Sequence, residues 1–210
     1  MDIEHMRTSY ERTELHEEQV CSDPIEQLRR WLEDAVKAGA AEPNAMSLCT
    51  CANGRPSSRV VLLRRLDAGG LVFFTSYFSR KGREIEENPC AAALFYWPQL
   101  ERQVRVEGAV QRIAEDESDA YFASRPRGHQ LGAWASEQSE PVENRELLDQ
   151  RMRDYEERFE GEDVPRPHSW GGYAIVPERI EFWQGRPNRM HDRLEFVQSD
   201  GVWSVRRLQP

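Results

Sequence analysis

The 210-residue sequence predicts one α+β domain, mainly β, with an antiparallel barrel-like core and helices around it. Short β-type runs follow one another closely, separated by turn signals such as Asn53-Gly54 and Asp67-Ala68-Gly69-Gly70. Helical patterns occur among these runs but do not alternate regularly with them, as a parallel doubly wound sheet requires. The length suits a single core and is short for two.

The first regular element is a helix that begins after residue 22. Asp23 can cap it, Pro24 suits its first turn and Gly39 ends it. Residues 1–22 show no hydrophobic periodicity, and we expect a flexible N-terminal arm there. Residues 23–210 are then expected to form the single folded domain.

The strands and remaining helices follow in order along the chain. The expected strands are Ala45–Cys51, Ser57–Leu66, Leu71–Ser76, Ala91–Trp97, Gln103–Ile113, Tyr173–Val176, Arg179–Trp183, Arg189–Val197 and Val202–Leu208. The expected helices are Arg80–Glu87, Glu115–Ser124 and about Asn144–Phe159. We expect a turn at residues 127–129 and a loop at residues 161–168.

Composition and charge exclude several classes of protein. A formal net charge of -9 argues against an extended nucleic-acid surface, which needs clustered positive charge. No apolar run approaches the ~20 residues of a membrane span, and the polar, acidic start lacks the features of a secretory signal. We therefore expect a cytoplasmic protein. The four cysteines have no zinc-site or disulfide-framework spacing, and no metal is expected.

Arginines and lysines nevertheless form tight local groups in this acidic background. The groups are Arg59/Arg64/Arg65, Arg80/Lys81/Arg83, Arg125/Arg127 and Arg189/Arg193. Such groups are expected where pockets hold compact anions, although each alone could be solvated surface charge. Arg59 and Arg64 would point to opposite faces of a regular strand. They could share a ligand only near a bulge, a strand end or a subunit interface.

Two segments carry the residue types of phosphate sites. A strand ending at Phe74-Thr75 runs into a helix whose first turn has Ser79, Arg80 and Lys81, so free N–H groups, a hydroxyl and cations converge. Ser79 could instead be only a helix cap. Farther along, Tyr121 and Arg125 lie one helical turn apart and could hold a phosphate monoester. The alternative is that Tyr121 packs in the core.

The most distinctive segment is E-F-W-Q-G-R-P-N-R-M-H-D-R, residues 181–193. At period two, Arg189, His191 and Arg193 would line one strand face, and an anion or a π-system against them would offset the charge repulsion. In E-R-Q-V-R-V-E-G, Gln103 could hydrogen-bond a ring edge or simply be exposed. Neither a G-x-G-x-x-G turn after a strand nor a P-loop is present.

Together, several segments resemble the pyridoxamine 5'-phosphate oxidase family in order and spacing, from Arg7 to Pro210. They are R-V-V-L-L-R, F-F-T-S-Y-F-S-R-K, E-R-Q-V-R-V-E-G, Y-F-A-S-R-P-R, Q-L-G-A-W-A-S-E-Q-S, the 181–193 segment and the closing R-R-L-Q-P. The resemblance implies an FMN-binding split β-barrel of antiparallel Greek-key type with a C-terminal dimerisation and substrate segment. It also implies a homodimer with FMN at the subunit interface.

The activity that the resemblance implies is the synthesis of pyridoxal 5'-phosphate in vitamin B6 metabolism. Pyridoxamine or pyridoxine 5'-phosphate would be oxidised by hydride transfer from C4' to flavin N5, and O₂ would be reduced to hydrogen peroxide. The flavin supplies the electron chemistry, and the protein supplies geometry, phosphate binding and exclusion of water.

Site residues are implied by motif match. FMN contacts would come from Arg59, Val60, Val61, Leu62, Leu63, Arg64, Phe74, Thr75, Arg80, Lys81, Gln103, Gln138, Ser139, Trp183 and Arg193. Substrate contacts would come from Arg7, Tyr10, Arg64, Tyr121, Arg125, His129, Arg189 and His191. Among these, Arg189 and His191 are the expected catalytic-site residues against the pyridine ring, and the arm carrying Arg7 and Tyr10 would close over the substrate.

Two positions depart from the family pattern. Arg64 stands where lysine is usual and His129 where serine is frequent, which alters the expected substrate-phosphate pocket. One alternative is therefore a related split-barrel flavin oxidase acting on another ring, of the phenazine-biosynthesis type. A second is a non-catalytic protein that binds flavin or pyridoxal phosphate. Retention of Tyr121, Arg125, Arg7 and Tyr10 favours the vitamin B6 substrate, because a ring without a phosphate would not need them.

Overall fold

The computed structural model of the protein describes residues 3–5 and 9–210. Within them lie nine strands: β1 Ala45–Ala52, β2 Arg55–Leu62, β3 Arg65–Asp67, β4 Gly70–Ser76, β5 Cys90–Trp97, β6 Arg102–Arg112, β7 Trp170–Gln184, β8 Asp192–Ser199 and β9 Val202–Arg207. The same residues form five α-helices: α1 Pro24–Lys37, α2 Arg80–Glu87, α3 Glu115–Ser124, α4 Arg127–Ala135 and α5 Arg145–Arg158. The predicted α+β class with a mainly antiparallel sheet is confirmed.

All strand pairings in the sheet are antiparallel, in the order β2-β1-β5-β6-β7-β4-β3, with β8 paired to β7 and β9 to β8. The longest strand, β7, has β6 along one edge, while β4 and β8 share the other. Phe74 of β4 lies opposite Gly172, near the start of β7. Gln103 of β6 lies opposite Trp183, near its end. The sheet thus places two groups of predicted site residues at opposite ends of β7.

The main core lies between the sheet and α1. Leu28 and Trp31 of α1 are buried, and the Trp31 ring meets Phe182 edge-on at 5.1 Å between centroids. A smaller apolar cluster lies under α3, α4 and α5 and includes Phe122, Leu131, Phe159, Val164 and Trp170. This second cluster supports the helices that flank the candidate site.

The predicted helices are present, and side-chain caps at Asp23, Ser79 and Asn144 explain where α1, α2 and α5 begin. Asp23 accepts a hydrogen bond from the backbone N–H of Ile25 at 2.9 Å, and Asn144 accepts one from Leu147 at 2.9 Å. Helices α2 and α3 have the predicted bounds. No helix of the described part of the chain is long and apolar enough to cross a membrane.

Part of the N-terminal segment packs against the sheet. Leu15 is buried, and its backbone N–H donates to Asp192 at 3.1 Å. Arg207 of β9 donates to Glu17 at 2.8 Å and to the carbonyl of Leu15 at 2.9 Å. Residues 9–22 therefore have defined contacts. The arm over 1–22, its flexibility and the domain over 23–210 stay predictions.

Two predicted strand boundaries are wrong because hydrogen-bond partners change. The single strand over 57–66 breaks after Leu62: Leu63 N–H bonds to the carbonyl of Asn44, whereas Arg64 N–H bonds to that of Val72 at 2.8 Å. Conversely, the two strands predicted within 173–183 are one strand, β7, which continues through an irregularity opposite Glu107/Gly108.

Two other predictions fail at segments without a strong local pattern. The turn predicted at residues 127–129 is the first turn of α4, which packs against the second cluster through Leu131. The strand predicted from Arg189 begins at Asp192 instead, after a short 3₁₀ turn over Pro187–Arg189.

Candidate active site

A cleft of about 1010 Å³ opens beside β2, β4, the start of α2 and the α3–α4 junction. Among the described residues that line it, five are cationic and none is a carboxylate; the cations are Arg59, Arg64, Arg80, Lys81 and Arg125. We call this the cationic cleft. Such an excess of fixed positive charge suits an anionic ligand.

Arg59 and Arg64 both reach the cationic cleft because β2 ends between them. Arg59 lies within β2, which pairs with β1. After Leu62 the chain turns away from β1, and the backbone N–H of Arg64 donates to the carbonyl of Val72 in β4. A strand end, one of the three arrangements that would bring these arginines together, lies between them. Val60, Val61 and Leu62 also line the cleft, whereas Leu63 is buried and does not.

The corner between β4 and α2 presents Phe74, Thr75, Arg80 and Lys81 to the cationic cleft. Lys81 Nζ donates to Thr75 Oγ1 at 3.1 Å. Burial first, and then the nearby charge of Arg59, lower the pKa of Lys81 to about 8. Ser79 caps α2, which was the alternative interpretation of this residue, and it does not line the cleft.

The loop after α4 contributes Gln138 and Ser139 to the cationic cleft. Gln138 Oε1 accepts hydrogen bonds from Thr75 Oγ1 at 2.9 Å and from Ser76 N–H at 3.2 Å. Ser139 has a φ of 77°, a left-handed conformation that is uncommon outside glycine. The loop is thereby fixed to the β4 edge of the cleft.

The wall beside Phe74 is aromatic and carries Tyr121, Arg125 and His129. The rings of Tyr121 and Phe74 are stacked with centroids 3.8 Å apart. The Arg125 guanidinium lies 4.6 Å from the ring centroid of Trp170, and burial lowers the pKa of Arg125. Its Nη1 is buried and has no hydrogen-bond partner in the described part of the chain. An unpartnered buried cation on a cleft wall is the group that a bound anion would satisfy.

Sequence reasoning missed some residues of the cationic cleft. Ser57, Ser58, Ser124, Pro126 and Trp170 line it as well. The period-two spacing of Ser57 and Arg59 could have indicated Ser57. Nothing local to Trp170 indicates its role, because its partner Arg125 is far away in sequence.

Tyr10, Trp183 and His191 form a separate group, which we call the aromatic cluster. The Trp183 and His191 rings lie 4.5 Å apart between centroids, and Tyr10 meets them at 5.7 and 5.8 Å. Gln103 and Arg193 lie opposite Trp183 in the strand pairing. These five residues, all predicted to contact the flavin or the substrate, therefore lie near one another but away from the cationic cleft.

The expectation that Arg189, His191 and Arg193 share one strand face is wrong. Arg189 has a φ of 62° and lies in the 3₁₀ turn before β8, and Pro187 within that turn favours the departure from strand geometry. Only Arg193 lies in β8, where Glu181 accepts from its Nε at 2.7 Å and from its Nη2 at 3.1 Å.

His191 is held by the backbone. The N–H of Arg186 donates to His191 Nδ1 at 3.1 Å, so the neutral ring carries its proton on Nε2. Burial first, and then the charge of Arg189, lower the pKa of His191, although Asp192 acts to raise it. The imidazole is thus kept neutral to lower pH than a free histidine.

The cationic cleft and the aromatic cluster are far apart within one chain. Phe74 pairs with Gly172 and Gln103 with Trp183, and these partners lie 11 residues apart along β7. At about 3.3 Å per residue, that is roughly 36 Å along the strand. The two groups therefore lie at opposite ends of β7 within the chain.

Two remaining predictions concern Arg7 and a metal. Arg7 lies outside the described residues. Over residues 3–5 and 9–210, no group of three or more His, Cys, Asp or Glu side chains is arranged to hold a metal ion.

Two family descriptions match the chain. Residues 32–183 match "Pyridoxamine 5'-phosphate oxidase", and residues 170–210 match "Pyridoxine 5'-phosphate oxidase C-terminal dimerisation region". Among curated proteins, the pyridoxine/pyridoxamine 5'-phosphate oxidase of Rubrobacter xylanophilus is 58% identical over 100% of this chain and 97% of its own length. The protein of the same name from Cupriavidus pinatubonensis is 55% identical over 98% of this chain and 97% of its own length.

Two solved structures are also similar to the chain. PhzG from Burkholderia lata, solved with tetrahydrophenazine-1-carboxylic acid, is 33% identical with a TM-score of 0.90, covering 97% of this chain and 100% of that one. A pyridoxamine 5'-phosphate oxidase-related, FMN-binding protein from Nostoc punctiforme is 18% identical with a TM-score of 0.70, covering 87% and 97%. The second similarity shows a shared fold.

Proposed function

Because the chain belongs to the pyridoxamine 5'-phosphate oxidase family, we propose that it oxidises pyridoxamine and pyridoxine 5'-phosphate to pyridoxal 5'-phosphate with bound FMN. The observation that carries the proposal is the cationic cleft, in which Arg125 Nη1 is buried without a partner. Both FMN and these substrates carry a phosphate, and unpaired guanidinium and ammonium groups bind phosphate well.

The residues of the cleft fit FMN. A phosphate would be met by Arg59, Arg80 and Lys81, while Thr75, Gln138 and Ser139 supply further polar groups on the same wall. When bound, the flavin supplies the two-electron oxidation, taking a hydride from the substrate's C4' to N5 and passing the electrons to O₂, which becomes hydrogen peroxide. The substrate's phosphate would be met by Arg64, Tyr121, Arg125 and His129 on the neighbouring wall.

We propose further that two subunits complete each site, as a homodimer with FMN at the interface. The support is the roughly 36 Å along β7 that separates the cationic cleft from the aromatic cluster within one chain. The match of residues 170–210 to a dimerisation region points the same way. The partner subunit would then contribute Gln103, Trp183 and Arg193 to the flavin.

Arg189 and His191 would orient the substrate ring rather than carry the oxidation. The neutral His191 imidazole, with Nδ1 occupied by the Arg186 N–H, leaves Nε2–H free to donate to a ring substituent. Tyr10 lies against Trp183 and His191 and would cover the ring from solvent. This positioning function needs no proton transfer to His191. The cytoplasmic location also stays a proposal.

The decisive experiment is anaerobic mixing of the purified, flavin-loaded protein with pyridoxine or pyridoxamine 5'-phosphate. The flavin absorbance should bleach, and it should recover on admission of O₂ with formation of pyridoxal 5'-phosphate. If the protein binds FMN but neither substrate bleaches the flavin absorbance, a non-catalytic flavin-binding protein would be supported instead.

The similarity to PhzG supports a second candidate, oxidation of a reduced tricyclic ring. Such a ring carries a carboxylate and no phosphate, so it would leave Arg125 Nη1 without the dianion that the proposed substrates offer. The same anaerobic experiment with a reduced phenazine carboxylate separates the two. Faster bleaching by that ring than by either vitamin phosphate would favour the second candidate.

A further inference from the structure

Glu84 of α2 is a buried carboxylate directly behind the wall of the cationic cleft. Its side chain is 9% exposed. Oε2 accepts from Thr50 at 2.5 Å, Ser57 at 2.6 Å and Arg59 at 3.1 Å. Oε1 accepts from Arg80 Nε at 2.8 Å. Glu84 thus binds two of the cations that face the cleft.

This carboxylate is ionised. Burial acts to raise its pKa, but the hydrogen bonds from Ser57, Thr50, Arg80 and Arg59 outweigh burial and lower the pKa of Glu84 to about 2. A full negative charge therefore lies beside Arg59 and Arg80 at neutral pH.

The cations of the cleft have few other counterions. In the described part of the chain, no carboxylate oxygen lies within 4.0 Å of the charged nitrogens of Arg64, Lys81 or Arg125, and those of Arg59 and Arg80 pair only with Glu84. Arg59 and Lys81 repel each other in the ligand-free cleft, which raises its free energy. Glu84 offsets part of that repulsion.

We propose that Glu84 is the internal counterion of the cationic cleft and that it limits how tightly the cleft holds a phosphate group. In the ligand-free protein it stabilises Arg59 and Arg80. When a phosphate binds the same cations, Glu84 repels it. This inference rests on the proposed phosphate binding. Because riboflavin lacks the phosphate, Glu84 would reduce the preference of the cleft for FMN over riboflavin.

The opposite role for Glu84 would be to orient the two arginines. A carboxylate that only positions them would strengthen phosphate binding, so its neutral replacement would weaken FMN binding. The counterion role predicts the reverse, because removing a negative charge near a bound anion favours binding. The sign of the change in FMN affinity on replacing Glu84 with a neutral residue separates the two roles.

The test compares wild type with Glu84→Gln, which keeps the shape and removes the charge. Apoprotein of each is titrated with FMN, riboflavin and inorganic phosphate, using flavin fluorescence and thermal unfolding. We expect the ligand-free variant to unfold at a lower temperature. Its Kd for FMN should fall about tenfold or more, its Kd for riboflavin should stay within about twofold, and phosphate should stabilise it more than wild type.

The matched control is Glu86→Gln on the same helix, an exposed glutamate paired with Arg112 and outside the cleft lining. It makes the same charge change and should leave all three ligand responses as in wild type. Glu84→Asp keeps the charge and should keep the FMN-to-riboflavin preference near that of wild type.

An unchanged or lower preference for FMN in Glu84→Gln would overturn the inference, as would an equal loss of both flavins. If Glu84→Gln does not fold alone, refolding with FMN or phosphate should restore it, and failure of both would also overturn the inference. Absence of flavin binding by wild type would reject the proposed function separately, since the phosphate titration does not depend on it.

Discussion

The Arg125 guanidinium lies 4.6 Å from the centroid of the Trp170 ring, although the two residues belong to different elements, the C-terminal cap of α3 and the start of β7. The contact fixes the planar group on the wall of the cationic cleft while Nη1 remains buried and without a partner. Arg125 therefore lines the cleft as an oriented cation with an unsatisfied donor.

Arg125→Lys should weaken substrate binding while leaving FMN content unchanged. Lysine keeps the charge but loses the planar contact with Trp170 and the donor at Nη1. Loss of a hydrogen bond to a charged group costs about 1.5–3 kcal/mol, so KM for pyridoxine 5'-phosphate should rise roughly ten- to hundredfold. Steady-state kinetics and the flavin absorbance measure the two quantities. The control is Arg158→Lys, another arginine over aromatic rings but outside the cleft, which should keep the wild-type KM.

Mixed dimers should show whether two chains share each active site. Lys81→Ala damages the cationic cleft and His191→Ala damages the aromatic cluster, so each homodimer should be impaired. Random pairing of the two chains should restore about a quarter of the sites, because each mixed dimer has one intact site. Pairing Lys81→Ala with Arg64→Ala, both in the cleft, is the control and should restore none. Absence of recovery in the first mixture would favour sites formed within one chain.

The pH dependence of FMN binding should follow Lys81, whose pKa is lowered to about 8 by burial and by Arg59. Below that pH the lysine is protonated in the ligand-free protein, so the Kd for FMN should change little through this group. Above it, binding must take up a proton and the Kd should rise by at most tenfold per pH unit. Fluorescence titrations between pH 7 and 9.5 measure this. Lys81→Arg should remove the dependence, and an equally steep rise in that variant would exclude Lys81 as its source.

The His191 ring should titrate below its ordinary range, because burial and Arg189 lower its pKa. Arg189→Ala removes a repelling cation and should raise the pKa, whereas Asp192→Asn removes a stabilising anion and should lower it. NMR titration of the ring protons follows both changes. If neutral His191 binds the substrate, the acid limb of kcat/KM should move in the same directions. Arg189→Ala should also reduce turnover far more than FMN content.

The short-range patterns of the sequence are sufficient for much of the fold. Helix α1 begins where Asp23 and Pro24 predict it, and α2 and α3 have their predicted bounds, because caps and proline act within one turn of the chain. The composition of the candidate site was also accessible from sequence. Most residues expected to bind FMN or the substrate phosphate line the cationic cleft.

Long-range contacts decided what local patterns could not. The break after Leu62 depends on hydrogen bonds to Asn44 and Val72, and it is this break that brings Arg59 and Arg64 to one cleft. Helix α4 is stabilised by packing of Leu131 into the second cluster, and the local sequence carries no clear signal for it.

The sequence by itself determined the class of fold, the family and the residue types of the site, since these depend on periodicity, caps and motifs. Only the tertiary structure decided that the cationic cleft and the aromatic cluster lie at opposite ends of β7 and that Glu84 pairs with Arg59 and Arg80. The physical reason is that strand pairing and burial set these distances. Both join residues far apart in the chain, and no local pattern encodes them.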